Sequence, residues 1–265
     1  MKKLLLLISI TLFIVTCDSD SPTGPGGTSS EDGFIHIYSP GDQSGTMPRY
    51  IDLTSDGGYI VSGLSGIYEE YIDCGSYTYK GYLLKLNSYG YEDWSKRLPT
   101  NESCPGDHDA YYASESNDGS YYVTGTGRES NYTDIYITKR DNNGNEIWSK
   151  YYGGDSTFDG PENSGFPTSD GGIIVTGRTA QSDGNGNAFL LKLSSNGDIE
   201  WSNEYGGEFT QKGESVKQTF DGGYIVVGDH GGLFKTNSNG SLQWSNDSVI
   251  GKEVNLTSDG GYIVS

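Results

Sequence analysis

The feature that most constrains this chain is a ten-residue phrase that keeps returning. Thr54-Ser55-Asp56-Gly57-Gly58-Tyr59-Ile60-Val61-Ser62-Gly63 recurs with few changes from Ser116, from Thr168 and from Thr219, and a fifth copy runs from Thr257 to Ser265. A second signature alternates with it, an apolar run followed by a Gly turn and a tryptophan. Its copies are Tyr82 to Leu86 with Trp94, Ile135 to Lys139 with Trp148, Phe189 to Leu193 with Trp201, and Leu233 to Lys235 with Trp244. The tryptophans stand 54, 53 and 43 residues apart. A chain built this way must fold as stacked copies of one unit, because one copy cannot bury its own apolar face.

Each unit reads as four short strands, a to d. Strand a precedes the Asp-Gly-Gly turn, Tyr-Ile-Val is strand b, the Leu-Leu-Lys-Leu run is strand c, and the Trp segment is strand d. The Asp-Gly and Asn-Gly turns suit tight hairpins that require positive φ. Composition agrees: 40 glycines beside four alanines is a poor mixture for helix, where Gly costs about 1 kcal/mol per position relative to Ala. The expected fold is therefore all-β, a β-propeller of four-stranded antiparallel blades, four complete and others partial. A β-solenoid is the rival, but its repeats are generally shorter and need no Trp-bearing outer strand.

The pattern T-S-D-G-G-Y-I-V-x-G, L-L-K-L-x-x-x-G and W-S-K-x-Y-G-G resembles the Asp-Gly-Gly/Trp β-propeller repeat of secreted and lipid-anchored bacterial proteins, over about Phe34 to Ser265. The resemblance implies a surface scaffold and carries no general catalytic motif. Phe34 to Tyr38 reads as a d-like strand, and Lys252 to Ser265 supplies only strands a and b of a fifth unit. The expectation is an incomplete ring, finished by further blades of a longer parent or by a partner chain, since an open strand edge invites aggregation.

The N-terminus reads as an address. Met1-Lys2-Lys3 and the apolar run Leu4 to Val15 form a secretory signal over residues 1–16, too short to span a bilayer. Ile14-Val15-Thr16-Cys17 resembles a bacterial lipobox, with Thr16 in place of the usual small residue, so Cys17 is the expected acylation site. Residues 17–33 are a polar Gly/Pro/Ser-rich tether with a reach of roughly 22 Å. The expected location is the bacterial cell envelope, at the outer membrane or cell surface, with the lipid as the only membrane contact. Lys and Arg number 17 against 36 Asp and Glu, so the surface repels phosphate backbones and nucleic acid is excluded as a partner.

The a–b and c–d turns are uniformly tight, whereas the b–c and d–a loops are long and variable. Binding residues gather on such loops, so that end of the blades is the expected ligand face. Tyr68, Tyr71, Asp73, Asp107 and Arg128 are the candidate contacts, with tyrosines supplying amphipathic area and carboxylates supplying acceptors. An extracellular glycan or protein is the expected partner. Cys74 and Cys104 fall in two of these loops, and in an exported domain they are expected to form a disulfide worth roughly 3–4 kcal/mol. No catalytic residues and no cofactor are assigned. A Ca²⁺ ion is left open by the acidic loops, while zinc spacing is absent around Asp107-His108-Asp109. Asp141-Asn142-Asn143-Gly144 is read as a hairpin turn. The alternative function is a propeller enzyme, either a polysaccharide lyase or hydrolase or a quinoprotein-like oxidoreductase.

Overall fold

The computed structural model describes residues 46–67, 78–98, 107–127, 134–153, 164–179, 186–206, 212–229 and 232–265, all within the unit Phe34–Ser265. Among them every regular element is a strand. Blade 1 comprises β1 (Thr46–Leu53), β2 (Tyr59–Ile67), β3 (Thr78–Leu86) and β4 (Glu92–Arg97). Blade 2 comprises β5 (Asp107–Glu115), β6 (Tyr121–Gly127), β7 (Asp134–Arg140) and β8 (Glu146–Tyr152). Blade 3 comprises β9 (Ser164–Pro167), β10 (Ile173–Arg178), β11 (Ala188–Leu193) and β12 (Ile199–Tyr205). Blade 4 comprises β13 (Gly213–Gln218), β14 (Tyr224–Gly228), β15 (Leu233–Thr236) and β16 (Leu242–Asn246), and β17 (Val254–Leu256) with β18 (Tyr262–Val264) forms a two-stranded sheet. Within each blade consecutive strands pair antiparallel, so the propeller blades expected from the repeat are present. No ladder among the described residues joins β17 and β18 to blade 1, and the ring is not closed by hydrogen bonds.

One connection departs from four separate blades. β3 outruns β4, whose last ladder partner Arg97 faces Tyr82, and the exposed edge of Tyr79 and Lys80 takes Asp107 and His108 of β5 in parallel. Blades 1 and 2 thereby share one eight-stranded sheet.

The repeated residues have repeated duties. In the a–b turn of each of the four blades the aspartate closes the hairpin and holds a lysine of strand c: Asp56 Oδ1 accepts from Thr54 Oγ1 at 2.6 Å and from the Gly58 N–H at 2.8 Å, while Lys85 Nζ donates to Oδ2 at 2.8 Å. Lys139–Asp118 at 2.9 Å, Lys192–Asp170 at 2.9 Å and Lys235–Asp221 at 2.6 Å repeat the lock. The lysine holds Asp56 at about 2, well below the ordinary carboxylate range, with the Thr54 hydroxyl adding to the effect. The same two causes, from Lys235 and Thr219, bring Asp221 to about 2.

Tryptophans of the outer strands couple neighbours, as the spacing suggests. The Trp94 indole N–H donates to the Asn142 carbonyl in the next blade, and Trp148 donates to Ser195, each at 3.0 Å. The rings lie on the turn glycines. Gly144, Gly197 and Gly240 have φ near +76°, and a Cβ on any of them would come within 3 Å of the preceding blade's Trp ring. Apolar cores fill the gaps between blades. Ile60 and Leu83 of blade 1 pack with Val123 and Tyr136 of blade 2, Ile137 with Val175 and Leu191 across the next gap, and Leu190 with Val216 and Val226 across the third.

Candidate binding site along the inner strands

Strands β1, β5, β9, β13 and β17 lie side by side in chain order. Their side chains sort by distance from the turn aspartate. Residues five positions before it are apolar or Gly, and three of them, Ala113, Val216 and Val254, enter the interblade cores. Because strand side chains alternate, the residues four and six positions before it turn the other way. They are Asp52, Ser114, Phe166, Lys217 and Asn255 at the nearer position, and Tyr50, Tyr112, Ser164, Ser215 and Glu253 at the farther one.

A bulge adds a third row. Ladder pairing skips one residue at Arg49 in β1, at Tyr111 in β5 and at Glu214 in β13, always seven positions before the turn aspartate. Before β17 the Ser265 carbonyl accepts from both the Lys252 and Glu253 N–H groups, the same two-against-one arrangement. The closing glycine of Tyr-Ile-Val-x-Gly is explained here. A Cβ on Gly125 would stand 1.6 Å from the Asp109 carbonyl, and one on Gly63 would stand 2.3 Å from that of Met47.

These rows touch one another across strands. In the bulge row the Arg49 guanidinium lies 5.6 Å over the Tyr111 ring, whose hydroxyl donates to Asp109 at 2.7 Å. Lys252 and Lys212 clamp the buried Glu214 at 2.5 and 3.2 Å. In the middle row the Tyr50 and Tyr112 rings stack with centroids 3.9 Å apart, Glu253 accepts from the Tyr50 hydroxyl, and the Tyr112 hydroxyl faces Ser164 and Ser215. The Oγ atoms of Ser164 and Ser215 are nevertheless fully buried and without a partner in hydrogen-bonding geometry. In the row nearest the turns Ser114 Oγ donates to Asp52 at 2.5 Å, and Lys217 Nζ sits 4.9 Å over the Phe166 ring.

The electrostatics are those of a half-buried polar column, open to solvent at Arg49, Lys252 and Asn255. Burial pushes both phenols above the ordinary tyrosine value, with Asp52, Tyr112 and Glu253 adding to it at Tyr50, and Glu253 and Glu214 at Tyr112. Burial lowers Lys217, opposed by the charges of Asp52 and Glu253. Such an arrangement holds donors, acceptors and aromatic faces ready for a polar ligand. A cleft of about 350 Å³ between the a–b turns, lined by Pro167, Gln218 and Phe220, shares Phe166 with the column. A larger cleft of about 580 Å³ lies on the outer strands of blades 3 and 4 and contains no column residue.

Cys17, Tyr68, Tyr71, Asp73, Cys74, Cys104 and Arg128 lie outside the described residues. Asp107 heads β5, where its backbone pairs with Tyr79. Asp141 spends its carboxylate on the Asn143 and Asn145 N–H groups, as a hairpin turn requires. Among the described residues no three His, Cys, Asp or Glu side chains gather as a metal site. Reading loops alone misses the column. The signal that finds it is the alignment of the repeats on the turn aspartate, where positions three, four, six and seven before it change chemistry from copy to copy while positions two and five keep theirs.

No family model and no curated protein matches the chain. Among solved structures it is similar to a protein of unknown function from Bacteroides caccae, with 13% identity over 68% of this chain and a TM-score of 0.48; the chain spans 60% of that protein's length. It is also similar to the gluconolactonase XC5397 of Xanthomonas campestris, with 7% identity, 82% and 68% of the two chains covered and a TM-score of 0.49. A third is CoXyl43, a β-xylosidase/α-arabinofuranosidase from a compost microbial metagenome, with 13% identity, 83% and 84% covered and a TM-score of 0.47.

Proposed function

We propose that the chain is a binding module of the bacterial cell envelope, tethered by lipid at Cys17, which captures an extracellular glycan or protein without transforming it. One observation carries the reading: a repeat whose turns and apolar inner-strand position are copied closely diverges along the rest of the inner strands, and three of the divergent positions per blade converge on one polar, aromatic column. Structural duty explains the turn aspartate, the strand-c lysine and the outer tryptophan. It offers no reason for Tyr50, Asp52, Lys217 and Glu253 to differ from their counterparts. Tyr68, Tyr71, Asp73, Asp107 and Arg128 remain the proposed loop contacts of the same ligand. A disulfide between Cys74 and Cys104 would stiffen those loops.

A glycan array and an envelope-protein overlay probed with the purified chain test the function; saturable retention of one ligand class supports it, and no retention on either overturns it. Metabolic labelling with a fatty-acid analogue should mark the wild type and not Cys17→Ala. Intact mass should rise by two hydrogens on reduction if the disulfide is formed. The enzymatic alternative has one observation in its favour, the gathering of Asp52 and Glu253 about Tyr50 and Lys217. Release of new chain ends from a retained polysaccharide, without added cofactor, would establish it over simple capture.

A further inference from the structure

Among the described residues five lysines are buried on strands, and four of them are satisfied. Lys85, Lys139, Lys192 and Lys235 are 2–8% exposed, and each lies within 2.9 Å of a turn aspartate. Lys217, 7% exposed, has no carboxylate within 4 Å among the described residues, and the Phe166 ring below it accepts no regular hydrogen bond. Two residues earlier on the same side of β13 stands Ser215, and two residues before Phe166 on β9 stands Ser164; their buried hydroxyls are also unspent. Two fully buried hydroxyls without a partner, beside a lysine that has no carboxylate in ion-pair reach, are a costly arrangement, because the hydroxyls have left water without a replacement partner.

We infer that the inner-strand column is a binding site for a neutral, hydroxyl-rich ligand, a sugar unit, with Lys217 as its principal hydrogen-bond donor. The inference rests on the reading of the chain as a binding module and narrows its ligand. Charge selects the class. Across the column Asp52, Glu214 and Glu253 stand against Arg49, Lys217 and Lys252, a balance with no surplus of either sign, within a chain of net charge −19. An anionic sugar would find no surplus cation there and a chain of its own sign, and a cation would leave the ammonium and the two seryl hydroxyls unspent. A neutral hydroxyl satisfies both sides, accepting from Lys217 while donating to a carboxylate. The exposed portions of the Tyr50 and Tyr112 rings offer an amphipathic surface for the C–H face of a sugar ring.

The test compares the full chain with Lys217→Met and Lys217→Gln by calorimetric titration against neutral oligosaccharides and matched uronate-containing ones, with melting temperature measured in parallel. The wild type should bind neutral sugars in preference to uronates. Lys217→Met should lose at least tenfold in affinity while melting at the same or a higher temperature, and Lys217→Gln, which keeps a donor, should fall between them. Equal binding by Lys217→Met overturns the inference and leaves the binding module standing, with its ligand on the loop face. Preference for uronates overturns the neutral class. A Lys217→Met protein that melts several degrees lower marks the lysine as structural and overturns its role. Retention of a protein and no glycan overturns the sugar; retention of nothing overturns the inference and the binding module together.

Discussion

The lysines of strand c and the lysine of β13 occupy similarly dry positions and are treated oppositely. Lys139 reaches Asp118 at 2.9 Å, and that pair is rebuilt in each of the four blades. Lys217 sits in the one inner strand that carries a lysine at that position, with an aromatic ring for a neighbour and its carboxylates beyond ion-pair reach. A buried charge that repeats with its partner is part of the scaffold. One that occurs once, unpartnered, costs stability, and selection retains such a cost where the group has a further use.

The comparison can be broken at its structural side first. Gly125→Ala places a Cβ 1.6 Å from the Asp109 carbonyl, so the inner bulge of blade 2 must shift; a loss of about 3 kcal/mol or more is expected, read by urea denaturation. If Gly125→Ala is silent, the bulge is not fixed by that glycine and the rows are not held in phase. Asp118→Ala strands Lys139, which is 6% exposed, and should cost about 2 kcal/mol. This is less than the 3–5 of a fully buried pair because the Asp118 side chain is 55% exposed. Lys139→Met together with Asp118→Ala should recover much of that loss. Lys217→Met should cost nothing and is expected to gain up to about 1 kcal/mol, since it removes a buried charge that has no partner. A destabilising Lys217→Met would erase the distinction between the two sets.

Proton linkage sharpens the same contrast because the two sets have opposite signs. The turn carboxylates titrate lower in the folded chain than in the unfolded one. Their contribution is therefore whole above about pH 4 and is lost as pH falls toward the value of about 2 held by Asp56 and Asp221. A melting temperature that declines through that window in the wild type, and less steeply in Asp56→Asn, is the expected result. Lys217 is lowered in the folded chain, so the folded state gains as alkali removes its proton before the ordinary lysine range is reached. The smallest effect follows: the stability gap between wild type and Lys217→Met should narrow as pH rises toward 10, and a gap independent of pH would mean that Lys217 is not desolvated.

The architecture was legible because hairpin chemistry is local. Asp56-Gly57-Gly58 and Asn143-Gly144 state their turns in adjacent residues, and Trp94 or Trp148 marks an outer strand wherever it falls. The column was not legible, since it depends on register between strands far apart in sequence. Tyr50 and Tyr112 meet only because both inner strands bulge at the same place, and Glu253 reaches Tyr50 across about two hundred intervening residues. Variable loops drew the sequence reading toward Tyr68 and Arg128. The variation within Tyr50, Ser164, Ser215 and Glu253 was quieter, because each stands in a strand whose apolar position and following turn obey the repeat. The parallel pairing of Tyr79 with Asp107 was equally hidden, as it follows from β3 outlasting β4 and not from any residue type.

The inner bulge has a consequence for how such a chain can change. It absorbs one extra residue at a fixed distance from the hairpin, so the strand beyond it keeps its phase whatever happens in the loop upstream. Duplication can therefore copy a blade with its folding instructions intact and leave the column positions free to drift. The same gene architecture could be re-addressed to another ligand by point substitutions alone, one blade at a time, with no hairpin, tryptophan or glycine altered.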